Sequence, residues 1–495
     1  MADRERADVA PVPAKIAHNG PAAKFVPKAG LATWRANQSL QECRDASPSS
    51  GLLILALLAQ INLARLRTSS SRPGRPLFPL ETRMPDFVQH GQVTTLHDLG
   101  TTDAEHLENV LTKATRRFKI GLVLPVTEGD MRADPFRNIV TKLKGVPFID
   151  TVCVVLNRAP EVEAYREARE MVAQIGPRAE VVWGDGPRVT ALYQQLIDSG
   201  LACGTPGKGR AVWTAFGYLM ADPAIKAFAL HDCDIVNYER SILARLCLPM
   251  AHPALDFEFS KAFYARVTDR MHGRVFRLLV APLVRALLAV FGHDPFLTFL
   301  DGFRYPLSGE FAITERLARS NRIPSDWGLE VGTLAEVFRN TSVKRVCQVD
   351  LGIPYEHKHQ TLSLEDPQKG LMKMATDILT SIFRTMSSRG TVITAAHVLT
   401  IRSAYVRAAQ DAIRQYHADA VFNGLAYDRH SEEQAVEGFA DQVTSAGEAI
   451  QGDPAGAEAI PTWSRVLAAA PEFPALLRDA ARDDAREYCA AESAL

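Results

Sequence analysis

From residue 120 onward the chain alternates short unbroken apolar runs with longer amphipathic stretches. IGLVLPV (120–126) and TVCVVLN (151–157) carry no polar alternation, the pattern of parallel strands buried on both faces, and AEVVWGDG (179–186) predicts a third. Between them, PFRNIVTKLKG (135–145) and EVEAYREAREMVAQIG (161–176) repeat their apolar positions at helical spacing. AVWTAFGYLMA (211–221) predicts a further helix, and AFALHDCD (227–234) a strand that ends in acidic residues. Strands alternating with helices imply a mostly parallel α/β sheet of Rossmann-like type with helices on both faces. Ligands of such sheets sit at the carboxyl ends of the strands.

Beyond about residue 364 the period becomes purely helical, as in GLMKMATDILTSIFRTM (370–386) and AYVRAAQDAIRQYHADAVFNGL (404–425). The expected organisation is a disordered basic extension over 1–83, an α/β domain over 84–363 and an α-helical region over 364–495. The first segment holds 12 Lys and Arg against 6 Asp and Glu. Met84 follows it directly and is an alternative start. Long apolar-faced helices at the C-terminal end point to a homodimer.

Composition narrows the function classes. The 495 residues are 47% hydrophobic and carry 56 basic against 57 acidic side chains, which excludes disorder over most of the chain and argues against wholesale nucleic-acid binding. The seven cysteines lack metal-ligand spacing, so a reducing compartment, the cytoplasm, is expected. The apolar run 51–66 contains Gln60, Asn62 and Arg65 and is too short for a stable membrane span.

Chemistry concentrates at a few places. In HDCDIVN (231–237), Asp232 and Asp234 stand two apart at a predicted strand end, where alternation would point both the same way, toward a hard divalent cation and a diphosphate. A lone triplet of this kind also occurs in many unrelated proteins. GTPGKGRAVW (204–213) places Lys208 at a helix start after a glycine-rich turn. That suits phosphate, but lacks the spacer and hydroxyl of a P-loop; the plainer reading is an exposed lysine on a turn. YEHKHQ (355–360) offers His357 and His359 as imidazole ligands or as solvated loop residues. YPLSGEFA (305–312) supplies a turn at Gly309 with Ser308 and Glu310 beside it. In IPSDWGLEVGTLAEVFRN (323–340), Asp326, Trp327 and Glu330 could meet a sugar, or Ser325 could cap a helix with Trp327 filling the core. GRVFRLLVAPLVRALL (273–288) brings Arg274 and Arg277 to a helix start that suits an anionic acceptor or a solvated basic face.

Taken in order, PVTEGD, GKGRAVW, HDCD, KAFYARV, MHGRVFRL, YPLSGEFA, DWGLEVGTL and YEHKHQ resemble the glucosyl-3-phosphoglycerate synthases, retaining glycosyltransferases of the GT-A fold. The resemblance implies transfer of glucose from a nucleotide diphosphate glucose to the 2-hydroxyl of 3-phosphoglycerate, with Mg²⁺ or Mn²⁺. It implies that Pro125, Val126, Thr127 and Glu128 hold the nucleotide together with Lys208, Asp232 and Cys233. Asp234 and His357 would be the metal ligands. Gly273, Arg274 and Val275, with Ser308 and Gly309, would hold the acceptor, and Glu330 would face the donor sugar. Asp234, Glu330 and Lys208 are thus the expected catalytic groups. A mannose donor, another acceptor, a sugar nucleotidylyltransferase and a non-catalytic sugar-nucleotide-binding scaffold are the competing readings. The nucleotidylyltransferase is disfavoured because PVTEGDMRADP (125–135) lacks the long glycine-rich signature with Arg and Lys that such enzymes place after their first strand.

Overall fold

Strand β2 (Lys119–Thr127) shows how the sheet is built. Ile120, Leu122, Leu124 and Val126 face one core, and Val123 faces another on the opposite side, so the run is apolar without alternation because both faces are covered. The computed structural model describes residue 89 and residues 91–352, 370–456 and 460–489. The expected extension over 1–83, the expected boundary after residue 363, and His357 and His359 lie outside the described residues.

The remaining strands are β1 (Thr94–Leu96), β3 (Thr151–Asn157), β4 (Ala179–Trp183), β5 (Ile225–Leu230), β6 (Phe259–Phe263), β7 (Phe311–Thr314) and β8 (Val346–Asp350). They form one eight-stranded sheet in the order β1-β8-β6-β7-β5-β2-β3-β4. All pairs are parallel except those of β7, which runs antiparallel between β5 and β6. This is the expected mostly parallel α/β architecture.

One face packs on helices Ala104–Ala114, Asp134–Leu143, Val162–Ala173 and Arg240–Ala251. The other packs on Pro187–Asp198, Lys208–Met220, Ala281–Phe291 and Leu329–Asn340, and the same core runs on into the C-terminal helices Gly370–Ser388, Ala395–Phe422, Arg429–Gly452, Trp463–Ala469 and Phe473–Cys489. Among the described residues no helix is long and apolar enough to cross a membrane.

Helix Lys208–Met220 is buried on nearly every side. Its two inner glycines make this possible: a Cβ at Gly209 would lie 1.9 Å from the Pro324 carbonyl, and one at Gly217 would lie 2.0 Å from the Trp463 ring. Trp213 and Trp463 stack at 4.4 Å. The Trp463 indole donates to the Trp213 carbonyl (3.0 Å), and the Trp213 indole to that of Pro461 (2.9 Å). The C-terminal helices therefore pin the element whose first residue is Lys208.

Candidate active site

The antiparallel course of β7 decides which loops meet. Leu230, the last residue of β5, pairs with Phe311, the first of β7. Residues 308–310, which precede β7, are thereby brought beside residues 231–234, which follow β5. Residues 264–274 leave the same edge from β6, and helix Lys208–Met220 starts there. The result is a cleft of about 660 Å³ whose lining includes Lys208, Asp232, Asp234, Gly309, Trp327 and Glu330, together with Arg266, His272, Gly273, Arg274, Val275 and Tyr305.

The sheet side is organised around Lys208. Its Nζ lies 2.6 Å from Asp232 Oδ1 and 3.1 Å from Glu330 Oε1, the latter 122 positions along the chain. Burial alone would lower the ammonium's pKa, but Asp232 and Glu330 outweigh it and hold the group well above the ordinary lysine range. The cation is therefore permanent at any working pH. Gly309 is needed for this arrangement, because a Cβ there would sit 2.1 Å from Asp232 Oδ2.

Two further charged side chains, Lys261 and Glu310, are fully buried. Lys261 Nζ donates to the Ser308 carbonyl (2.6 Å), and Glu310 accepts from the Tyr264 hydroxyl (2.9 Å). Burial pushes Lys261 down to about 8, against the opposing pull of Glu330 and Glu310. Lys261 escaped the sequence reading, although a lysine sharing its strand face with Phe259 and Phe263 was signal enough that it is buried.

The second part of the lining turns at Gly273, whose φ of +76° only glycine adopts without strain. A π-helical turn, Val275–Val280, follows and runs into Ala281–Phe291. Such turns commonly mark functional sites, and a helix start favours anions. Arg266, also unforeseen, donates from Nη1 to the Tyr305 hydroxyl (3.2 Å). Burial lowers its pKa, but Tyr305 and, more weakly, Asp234 hold it above the ordinary arginine value.

Several expectations need correction. Strand β5 ends at Leu230, so Asp232 and Asp234 lie in an irregular segment past the ladder, not on an alternating strand end. Both still line the cleft. Ser308 is fully buried, its hydroxyl donates to the Ala262 carbonyl (2.7 Å), and it is not part of the cleft lining. Arg277 is buried on Glu432 and does not line the cleft. Ser325 makes no cap for helix Leu329–Asn340, whose N-cap is Gly328, and Trp327 is 42% exposed in the cleft instead of filling the core.

Pro125, Val126 and Thr127 end β2 and Glu128 opens the short helix after it, all outside the cleft lining. The Thr127 hydroxyl accepts from the Asp130 amide as a helix cap, and Glu128 accepts from Arg132 (2.7 Å). Cys233 is buried, and burial pushes its thiol pKa up, so it is inert as a nucleophile. Among the described residues no group of three or more His, Cys, Asp or Glu is placed to hold a metal ion. Magnesium-type sites need only one or two protein carboxylates when substrate phosphates and water complete the shell, and Asp234 in an open cleft meets that requirement.

Fold and cleft together define an α/β protein that gathers lysine, arginine and carboxylate side chains at its strand ends, one of the carboxylates suited to a hard cation. No protein-family model matches the chain. It is 43% identical over 401 residues to the glucosyl-3-phosphoglycerate synthase of Persephonella marina, across 81% of this chain and 99% of that one. It is 39% identical over 409 residues to the glucosyl-3-phosphoglycerate synthase of Methanococcoides burtonii, across 82% of this chain and 99% of that one. The chain belongs to the glucosyl-3-phosphoglycerate synthase family. A crystal structure of glucosyl-3-phosphoglycerate synthase from Mycobacterium tuberculosis, in complex with Mn²⁺, uridine-diphosphate-glucose and phosphoglyceric acid, is 22% identical, covers 60% of this chain and 88% of that one, and superposes with a TM-score of 0.44.

Proposed function

We propose that the protein transfers glucose from a nucleotide diphosphate glucose to the 2-hydroxyl of 3-phosphoglycerate, with retention at the anomeric carbon. Family membership supports the reaction class. The observation that carries the site assignment is Lys208 joining Asp232 and Glu330 in the cleft that also holds Asp234 and Arg274. In this reading Asp232 holds the donor's ribose and Glu330 faces its glucose. Lys208, fixed as a cation between them, stands where negative charge builds on the departing diphosphate.

Asp234, together with His357 from outside the described residues, would hold the divalent cation, Mg²⁺ or Mn²⁺. When bound, that cation neutralises charge on the leaving group. Glu330 is engaged by Lys208 rather than free as a nucleophile, which favours a front-face route in which the leaving phosphate accepts the acceptor's proton. Gly273, Arg274 and Val275 at the helix start receive the anionic acceptor. A cytoplasmic setting fits the buried free thiols of Cys153, Cys203, Cys233, Cys247 and Cys347.

A donor and acceptor screen tests the proposal. UDP-glucose, GDP-glucose and GDP-mannose are each offered with 3-phosphoglycerate and Mn²⁺, and product stereochemistry is read by NMR. An α-glucosyl product on the 2-hydroxyl is expected. Turnover confined to mannose donors, or to other acceptors, would overturn it.

A further inference from the structure

Arg274 stands in the cleft wall, but what holds it comes from the far end of the chain. Its Nε donates to Glu432 Oε1 (2.7 Å) and its Nη2 to the Ser431 hydroxyl (3.0 Å), both in the first turn of helix Arg429–Gly452. Glu432 is 4% exposed and does not line the cleft, so it reaches any ligand only through its partners. Its second partner is Arg277, whose Nη1 donates to Oε2 (2.9 Å) and whose Nη2 donates to Oε1 (3.4 Å).

Arg277 in turn supports the loop that makes the wall. Its Nε donates to the His272 carbonyl (2.9 Å), its Nη2 to that of Met271 (3.3 Å), and its guanidinium lies over the Tyr416 ring at 4.8 Å. The same loop is tied a second time: the Ala426 amide donates to the Asp269 carbonyl (2.9 Å), and Arg270 forms a parallel bridge with Ala426. One buried carboxylate between two guanidiniums leaves the assembly with a positive surplus. The wall can therefore bind an anion although Arg274 is already paired.

We propose that the C-terminal helical region builds the acceptor wall, and that Glu432 is a positioning residue fixing Arg274 and loop 266–273 in the geometry that receives an anionic acceptor. This rests on the reading of the cleft as the site of glucose transfer to 3-phosphoglycerate. The contrast with Lys208 supports it: Asp232 and Glu330, the partners of Lys208, line the cleft, whereas Glu432 is buried outside the lining and serves to hold.

The test is steady-state kinetics on the full chain with UDP-glucose, 3-phosphoglycerate and Mn²⁺. Wild type is measured first, and absence of transfer to 3-phosphoglycerate there would sink the underlying reading, and this inference with it. Given transfer, Glu432→Gln is expected to raise the acceptor KM about tenfold or more, the scale of a lost charge-assisted hydrogen bond, with kcat within about threefold and the donor KM unchanged. Glu432→Asp is expected to recover part of the loss. An unchanged acceptor KM overturns the proposal. So does a fall, since Glu432 would then be competing with the acceptor for Arg274. If Glu432→Gln does not fold by circular dichroism, Ser431→Ala decides, because it deletes one Arg274 contact at a partly exposed position. An acceptor KM raised about twofold to threefold supports the proposal, and no change overturns it.

Discussion

The two walls of the cleft hold their cations in different ways. On the sheet side, Lys208 is shared by Asp232 and Glu330, carboxylates that themselves face the cleft. In the second part of the lining, Arg274 is bound by Glu432, a buried carboxylate outside the cleft lining. A network that opens to its ligand can redistribute charge as a leaving group forms, whereas a sealed one can only orient. In the proposed reading chemistry belongs to the first wall and recognition to the second, so substitutions on the sheet side should depress kcat and those behind Arg274 should act on acceptor KM.

The largest effect is expected at Asp234. Asp234→Ala should lower kcat by on the order of a thousandfold and abolish the response to added Mn²⁺, read from initial rates in a metal titration. Wild-type rates in that variant would break the assignment of the sheet wall. Next comes Lys208→Met, which leaves Asp232 and Glu330 facing each other without their cation. A fall of about a hundredfold in kcat is predicted, with Lys208→Arg recovering only part of it. A change confined to acceptor KM would erase the distinction between the walls.

Gly309→Ala sharpens it at a smaller scale. The added methyl would sit 2.1 Å from Asp232 Oδ2 and must displace that carboxylate. A drop of about tenfold in kcat/KM for the donor is expected, with acceptor KM preserved and the melting temperature close to wild type.

A separate effect falls on stability. Lys261 titrates near 8 in the fold against 10.5 when unfolded, so within that window the unfolded chain keeps a proton that the folded one has released. Raising pH through the window therefore favours the fold, by up to about 3 kcal/mol. Lys261→Met should lack this rise relative to wild type in urea unfolding measured across pH. Parallel curves would show that Lys261 is not a buried, depressed lysine.

Much of the sheet was legible because burial on both faces leaves a simple trace. The apolar runs at 120–126 and 151–157 match β2 and β3 to within a residue at either end, and the sheet-side charges lie in short segments with their own local signal. The antiparallel insertion of β7 was not legible, since FAIT is four residues long and the direction of a strand leaves no mark on its composition. The fate of Ser308 and Arg277 was hidden for a related reason. A hydroxyl or guanidinium near a motif reads alike whether it faces ligand or backbone, and only the fold showed that Ser308 turns to Ala262 and Arg277 to Glu432. Glu432 itself lies 158 residues from Arg274 in an ordinary amphipathic helix, where no periodicity distinguishes a buried carboxylate from a solvated one.

If, as proposed, this cleft moves glucose onto 3-phosphoglycerate by chemistry around Lys208, the charge of that residue sets kcat. The direct test is the rate of glucosyl transfer from UDP-glucose by wild type and Lys208→Met over a range of 3-phosphoglycerate up to saturation, with the product's anomeric configuration read by NMR. An α-linked product is expected from wild type and a kcat about a hundredfold lower in the variant, with acceptor KM nearly unchanged. A β-linked product, or a variant that turns over as fast as wild type, would contradict it.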